Sequence, residues 1–262
     1  MAGHIAALYR HPVKGFTPEP LARAALTAGA PFPCDRLYAV ETGPSGFDPD
    51  APAFVPKQKF AVLAALPQVA RAVTRYDEAS QRLEVRAPGL PDLSAPLGEA
   101  AGRQAFADWL TRLLGDDARG PLQVLQAPGH RFMDHPKGDV SSVRDLEQKL
   151  GREIDPLRFR ANIYVEGWPP WVENQWAGAG MMVGWAQAQV FKPIVRCAAT
   201  DVDPATGVRD MEITKALFDH YGHMFCGVYV HVTRDGAVSL GDACSQPQPE
   251  AAAQPIFGGA AR

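Results

Sequence analysis

Four short stretches of this 262-residue sequence carry side chains able to do chemistry. The first is His11-Pro12-Val13-Lys14-Gly15, with Asp35-Arg36 after it. The second is Asp139-Val140-Ser141-Ser142, just ahead of a helical pattern. The third is Arg158-Phe159-Arg160-Ala161-Asn162, and the fourth is Val195-Arg196-Cys197, followed by Asp201-Val202-Asp203-Pro204-Ala205-Thr206-Gly207. Taken singly, each has a plain structural reading. Lys14 and Arg36 read as solvated charges, Ser141 and Ser142 as helix caps, and Cys197 as a small buried hydrophobe. Arg158 and Arg160, two apart in a strand, read as one salt-bridged face. Taken together they compose a binding site. A helix N-terminus offers free N–H groups to a phosphate, and arginines offer forked donors to the same group. Asn162 donates and accepts at a heterocycle edge. A thiolate is a soft metal ligand. A phosphorylated pterin carrying a metal needs all of these.

Short strands are expected to position these residues. Ile5 to Val13 is apolar and extended, and Arg36 to Val40 is a second strand. Val69 to Tyr76 and Arg82 to Arg86 alternate around a polar turn, as a hairpin does. Phe106, Trp109, Leu110, Leu113 and Leu114 then fall on one helical face, with Gly115 as C-cap. Ser142 to Asp145 resembles a capping box, with Val143, Leu146 and Leu150 buried and Gly151 ending the helix. Arg158 to Val165 reads as a strand, and Met181 to Cys197 as two, broken at Gly184 and Pro193. Ile213 to Tyr221 reads as a short helix. Val228 to Val232 and Ala237 to Leu240 flank Asp235-Gly236, a hairpin signal. With 24 Gly and 24 Pro the chain is rich in turns. Regular βαβ alternation is absent, which argues against a doubly wound parallel sheet. The expected fold is mixed α+β, mainly β: an N-terminal β-barrel-like domain packed on a second β-barrel with inserted short helices. The expected domains are residues 1–95, a connecting helix in 96–120, a second domain in 121–245 and a tail from 246 to 262.

Composition narrows the function. A formal net charge of −3 argues against nucleic acid or an anionic membrane surface as main partner. No apolar run reaches the ~18 residues needed for a membrane span, and Met1 to Arg10 does not read as a signal peptide. The cysteines at 34, 197, 226 and 244 form no C-x-x-C pair, as expected of a cytoplasmic chain with free thiols. They form no iron–sulfur cluster motif, and no Gly-x-Gly-x-x-Gly fingerprint is present. His220, His223 and Cys226 sit three apart but are interrupted by Gly222, so a chance cluster is the preferred reading. Trp168, Trp171 and Trp176 read either as a packed loop or as a pocket wall. His130, Arg131, His135 and Lys137 make a basic patch whose default is a solvated loop.

In order along the chain, these stretches resemble the MOSC superfamily, named for the C-terminal domain of molybdenum cofactor sulfurase. The N-terminal part is similar to the β-barrel domain that precedes it in amidoxime-reducing proteins. The family's Tyr-Pro-Val-Lys-Ser stretch reads His11-Pro12-Val13-Lys14-Gly15, and its Asp-Arg-aromatic start reads Asp35-Arg36, with Leu37 and Tyr38 next. Arg-Phe-Arg-Pro-Asn reads Arg158-Phe159-Arg160-Ala161-Asn162, and Glu-Asp-x-Trp reads Glu173-Asn174-Gln175-Trp176. Arg-Cys and Val-Asp-Pro-x-Thr-Gly match Arg196-Cys197 and Val202 to Gly207. Phe-Gly-x-Tyr, with one inserted residue, reads Phe225 to Tyr229, and the closing Gly-Asp is Gly241-Asp242. The resemblance covers roughly residues 5 to 243.

This resemblance implies a molybdenum cofactor. Cys197 would be the protein thiolate on molybdenum. Lys14, Arg36, Ser141, Ser142, Arg160, Asn162 and Arg196 would hold the pterin and its phosphate. From its position alone, and not from the resemblance, Asp203 is expected to assist proton delivery. The implied reaction is reduction of an N-hydroxylated small molecule, an amidoxime or a hydroxylated base analogue. Its electrons would come from a separate flavin or iron–sulfur protein. The alternatives are a cofactor carrier or sulfur-transfer protein with a persulfide on Cys197, and a binding module without metal.

Overall fold

The computed structural model describes residues 2–48, 50–51, 55–118, 120–126, 137–138 and 141–246, with main chain alone at 137, 138 and 141. The first part of the chain supplies β1 (Gly3–Arg10), β2 (Glu19–Leu21), β3 (Arg23–Leu26), β4 (Tyr38–Thr42), β5 (Val73–Asp77), β6 (Arg82–Arg86) and β7 (Leu93–Pro96). Then come α1 (Ala100–Leu114), β8 (Leu122–Gln126), β9 (Lys137–Gly138), α2 (Ser141–Leu150) and β10 (Ile163–Glu166). The last part holds β11 (Gly180–Val183), β12 (Ala186–Val195), α3 (Ile213–Tyr221), β13 (Phe225–Arg234), β14 (Gly236–Ser239) and β15 (Ala243–Cys244). The fold is mixed α+β and mainly β, as the turn-rich composition implies. No helix among the described residues is long and apolar enough to cross a membrane.

The largest sheet has the order β10-β9-β13-β12-β11-β15-β1-β2, and β1 also pairs with β10. The pairings therefore run in a ring from β1 back to β1. Period-2 alternation makes this possible: on β13, Val228, Val230 and Val232 point into one core with Ile5, Leu8 and Val190. A second core lies under β4–β8 and the meander β5-β6-β7, where Tyr38, Leu83 and Val85 meet Phe106 and Leu110 of α1. Gly115 ends α1 at φ 52°, as a C-cap glycine does.

Several local expectations change. Leu150 is exposed rather than buried, β12 runs through Pro193, and the strand expected from Arg36 begins at Tyr38. Arg158 to Val165 is not one strand. Asp155 caps a 3-10 turn, Pro156–Phe159, by accepting from Leu157 N at 2.8 Å, and Pro156 presets its first position. Arg160 then takes the left-handed conformation at φ 52°, so Arg158 and Arg160 share no strand face. Asp235-Gly236 makes no hairpin: β14 pairs with β3, and the Asp235 carboxylate accepts from Ala28 N at 2.7 Å. The first strand ends at Arg10, because His11–Gly15 leaves the sheet to bridge Val13 to Tyr38. Helix α2 begins at Ser141, which puts Ser142 inside the first turn rather than at its cap.

Candidate functional site

Where β1 ends and β10 begins, two loops meet. Asn162, fully buried, donates from Nδ2 to Tyr9 O at 3.0 Å and to Asp35 Oδ1 at 2.8 Å. The same carboxylate oxygen accepts from His11 N at 2.8 Å. Arg36, only 2% exposed, pairs with Asp35 Oδ2 and donates from Nη2 to Arg160 O at 3.2 Å. Its Nη1 lies 3.4 Å from Asn162 Oδ1. Asp35 thus joins two predicted site residues, and sequence reasoning gave it no role of its own. Its signal was its place beside Arg36: a buried arginine needs a carboxylate.

Arg160 differs from Arg36. Its Nη2 is enclosed and has no hydrogen-bond partner among the described residues. Burial, and then the like charge of Arg36, hold its guanidinium below the ordinary arginine value, while Asp35 pulls the other way. Arginine still keeps its proton at neutral pH. Among the described residues one carboxylate therefore stands against two guanidiniums, and the excess positive charge has no second counter-ion. Lys14 is also buried, with its ammonium 4.6 Å from the centre of the Phe60 ring. Its main-chain N–H donates to Tyr38 O at 2.8 Å, and Arg36 N donates to His11 O at 2.6 Å, so the two loops are laced together.

Cys197 follows β12, is half-buried and forms no disulfide. The residue before it is pinned: Arg196 donates from Nε to Cys226 O at 2.8 Å and from Nη1 to Phe159 O at 2.7 Å. Arg196 is thus committed to main-chain carbonyls, one of them adjoining Arg160. Thr200 holds the Cys197 carbonyl through its N–H at 2.9 Å and its hydroxyl at 3.0 Å. Asp203 accepts from Ala205 N at 2.9 Å and Thr206 N at 2.8 Å. Burial would raise its pKa, but these N–H groups and the Arg158 charge outweigh that and hold it below the ordinary carboxylate value. Asp203 is therefore an ionised turn-former, 3.6 Å from Arg158 Nη2. Arg158 is buried and also pairs with Asp210 at 2.8 Å.

The chain matches the MOSC N-terminal β-barrel domain over residues 2–119 and the MOSC domain over residues 139–245. This is a MOSC-domain protein. It is 29% identical over 114 residues to the mouse mitochondrial amidoxime-reducing component 1, covering 39% of this chain and 33% of the mouse protein. It is 31% identical over 97 residues to the molybdenum cofactor sulfurase of Caenorhabditis elegans, covering 36% of this chain and 13% of that protein. The matched region thus spans a third or less of these relatives. The YuaD protein of Bacillus subtilis superposes with a TM-score of 0.45 at 15% identity, over 93% of this chain and 94% of that one.

Two departures of this MOSC protein from the usual motifs have local causes. A Cβ on Gly15, at φ +93°, would lie 2.5 Å from Ala61 O, so the family's serine does not fit here unstrained. Ala161, where proline is usual, donates its N–H to the Tyr164 hydroxyl at 3.1 Å, which proline cannot do. Ser142 is buried and donates to Glu173 Oε1 at 2.8 Å, and Glu173 accepts from Gly227 N at 3.3 Å. That chain of contacts leads from α2 to β13 beside Cys226. Asp139, Val140 and the Ser141 side chain lie outside the described part, as does the patch from His130 to His135. Trp168 and Trp176 pack edge to face in the core at 4.8 Å, and Trp171 lies on Tyr221. Asn174 was quoted only within its motif; both its amide atoms are enclosed without a partner among the described residues. Among the described residues no three His, Cys, Asp or Glu side chains gather as a metal site.

The donor set suits a molybdenum cofactor. The enclosed, unpartnered Nη2 of Arg160 calls for an anionic acceptor. Asn162 and Asp35 are bonded to each other, to main chain and to Arg36, so they brace Arg36 beside Arg160 rather than offer free edges to a ligand. The Cys197 thiol supplies a soft ligand.

Proposed function

We propose that this protein is a molybdenum-cofactor-dependent reductase of N-hydroxylated small molecules such as amidoximes. The observation that carries the proposal is Arg160, which has an enclosed, unpartnered nitrogen and, unlike Arg158, no paired carboxylate among the described residues. Arg160, Arg36, Lys14 and the first turn of α2, with Ser141 and Ser142, would hold the phosphate. Asn162, its amide engaged by Tyr9 and Asp35, would act on the pterin only by bracing Arg36. Cys197 would bind the metal, and Arg196 would fix the main chain before it. The cofactor supplies two-electron redox chemistry when bound. Two electrons and two protons convert the N–OH group to N–H and water. Asp203, ionised and bonded to two N–H groups, shapes the turn after Cys197 and holds no proton to give at neutral pH. The name of the mouse relative supports the substrate class. The electron donor we propose is a separate flavin or iron–sulfur protein.

The test uses protein purified from a host that makes the cofactor. Reduced viologen dye should drive conversion of benzamidoxime to benzamidine, and NADH alone should not. Inertness of fully metallated protein towards several N-hydroxylated compounds would refute the reaction. The nematode sulfurase match favours a second reading, in which Cys197 handles sulfur or carries cofactor without turnover. Cyanide-labile sulfur on Cys197 in metal-free protein would support that reading instead.

A further inference from the structure

We infer that Arg209 is a positioning residue for Cys197, fastening the loop that bears the thiol to the segment that backs Lys14. Its guanidinium reaches both ways. Nη1 donates to Ala198 O at 2.7 Å, on the residue after Cys197. Nη2 donates to Ala64 O at 2.7 Å and to Leu63 O at 3.2 Å. Residues 63 and 64 continue from Ala61 and Val62, the main chain against which Gly15 is pressed. One planar fork therefore spans from the neighbour of the thiol to the strip beneath the Lys14 loop.

Ala199 packs on the core under α1, an apolar contact with the first half, but the hydrogen bonds of Arg196 and Thr200 do not make this link. Arg196 and Thr200 tie the thiol's own main chain within the second half of the molecule. Farther along the loop, Val202 is buried in the core under α1. Gly207, at φ +74°, sits where a Cβ would be 2.7 Å from Pro67 O. These two contacts keep the loop docked without Arg209. What Arg209 adds is the setting of Ala198, and so of Cys197, against the first half. Among the described residues three carbonyls and no carboxylate accept a hydrogen bond from it, so its bonds set geometry, while its charge acts at longer range on Asp201. Lysine keeps the charge but offers one nitrogen and cannot hold both sides.

The role of the thiol rests on the proposed function, whereas the test of Arg209 does not. Cofactor-free wild type, Arg209→Ala and Arg209→Lys are alkylated with iodoacetamide at one pH. Modification at Cys197 is followed by peptide mass spectrometry and normalised to denatured protein. Both variants should react faster at Cys197, by about tenfold if roughly 1.4 kcal/mol of restraint is lost. Buried Cys226 and Cys244 should stay unmodified, which separates local release from unfolding. Added guanidinium ion should slow Cys197 again in Arg209→Ala. A folded Arg209→Lys protein with the wild-type Cys197 rate would overturn the inference. Unfolding of both variants would also overturn it, since Val202 and Gly207 are argued to hold the loop. Separately, cofactor-loaded wild type should be protected at Cys197. Lack of protection would sink the metal-ligand reading and leave the Arg209 result standing.

Discussion

Arg158 and Arg160 lie two residues apart and serve different needs. Arg158 is buried against Asp210 and Asp203, which tie it to the loop after Cys197. Arg158 also has enclosed nitrogens without hydrogen-bond partners, Nε and Nη1, but its charge is paired with carboxylates. Arg160 has an enclosed, unpartnered Nη2 and no paired carboxylate among the described residues. Arg160→Ala should lose bound pterin, at a cost on the order of 2–5 kcal/mol for a charge-assisted anion contact. Arg160→Lys should also be poor, because an ammonium does not replace the fork. Arg158→Ala should retain pterin in its folded fraction but lose about 2–3 kcal/mol of stability, less than a fully buried pair because both carboxylates are partly exposed. Acid-released pterin per chain and a denaturant midpoint separate the two effects. Full pterin in Arg160→Ala, or a larger pterin loss in Arg158→Ala, would reverse the assignment. Strand periodicity alone could not rank these arginines. The distinction comes from Pro156 and a left-handed Arg160, which break the strand that alternation implied.

At the scale of elements, Asp145 joins α2 to α3. Its Oδ2 accepts from the Tyr221 hydroxyl at 2.6 Å and from Trp171 Nε1 at 2.7 Å. The Tyr221 bond, and then that of Trp171, hold its pKa below the ordinary value of 3.8 against the opposing effect of burial. A carboxyl depressed on folding stabilises above its unfolded pKa, and the gain is lost as pH falls through the folded one. Asp145→Asn should therefore cost about 1 kcal/mol at neutral pH. The gap to wild type should close on acidification below roughly pH 4. Urea titrations at several pH values give the comparison, and a pH-independent gap would contradict it. Gly15→Ser should likewise destabilise by about 1–3 kcal/mol, since it must open the contact with Ala61 while keeping a positive φ. A wild-type melting temperature for that variant would show that the close approach is not needed. Elements made by local pattern were legible in the sequence: α3, α1 with its Gly115 cap, and the β5–β6 hairpin. The partner of β14 was not, because β3 lies about two hundred residues earlier and no local signal specifies it.

Across the whole molecule, β1 belongs to the ring of strands completed by the second half, and β3 pairs with β14. The two halves are therefore laced by main-chain pairing as well as by Arg36, Asn162 and Arg209. This brings Arg36 together with Arg160 and Asn162 although it lies far from them in sequence. Their order was legible as a family pattern. The hydrogen bonds that join them were not, since they depend on Asp35 and on carbonyls that any residue provides. The central claim is that Cys197 is the protein ligand of a bound molybdenum. Its most direct test is the molybdenum content per chain of wild type, Cys197→Ser, Cys34→Ser, Cys226→Ser and Cys244→Ser, all purified from a cofactor-competent host. A hard, weakly acidic serine hydroxyl is a poor substitute for a thiolate. We predict stoichiometric molybdenum in wild type and the three control variants, with loss in folded Cys197→Ser. Metal-free wild type, or full molybdenum in Cys197→Ser, would contradict the account.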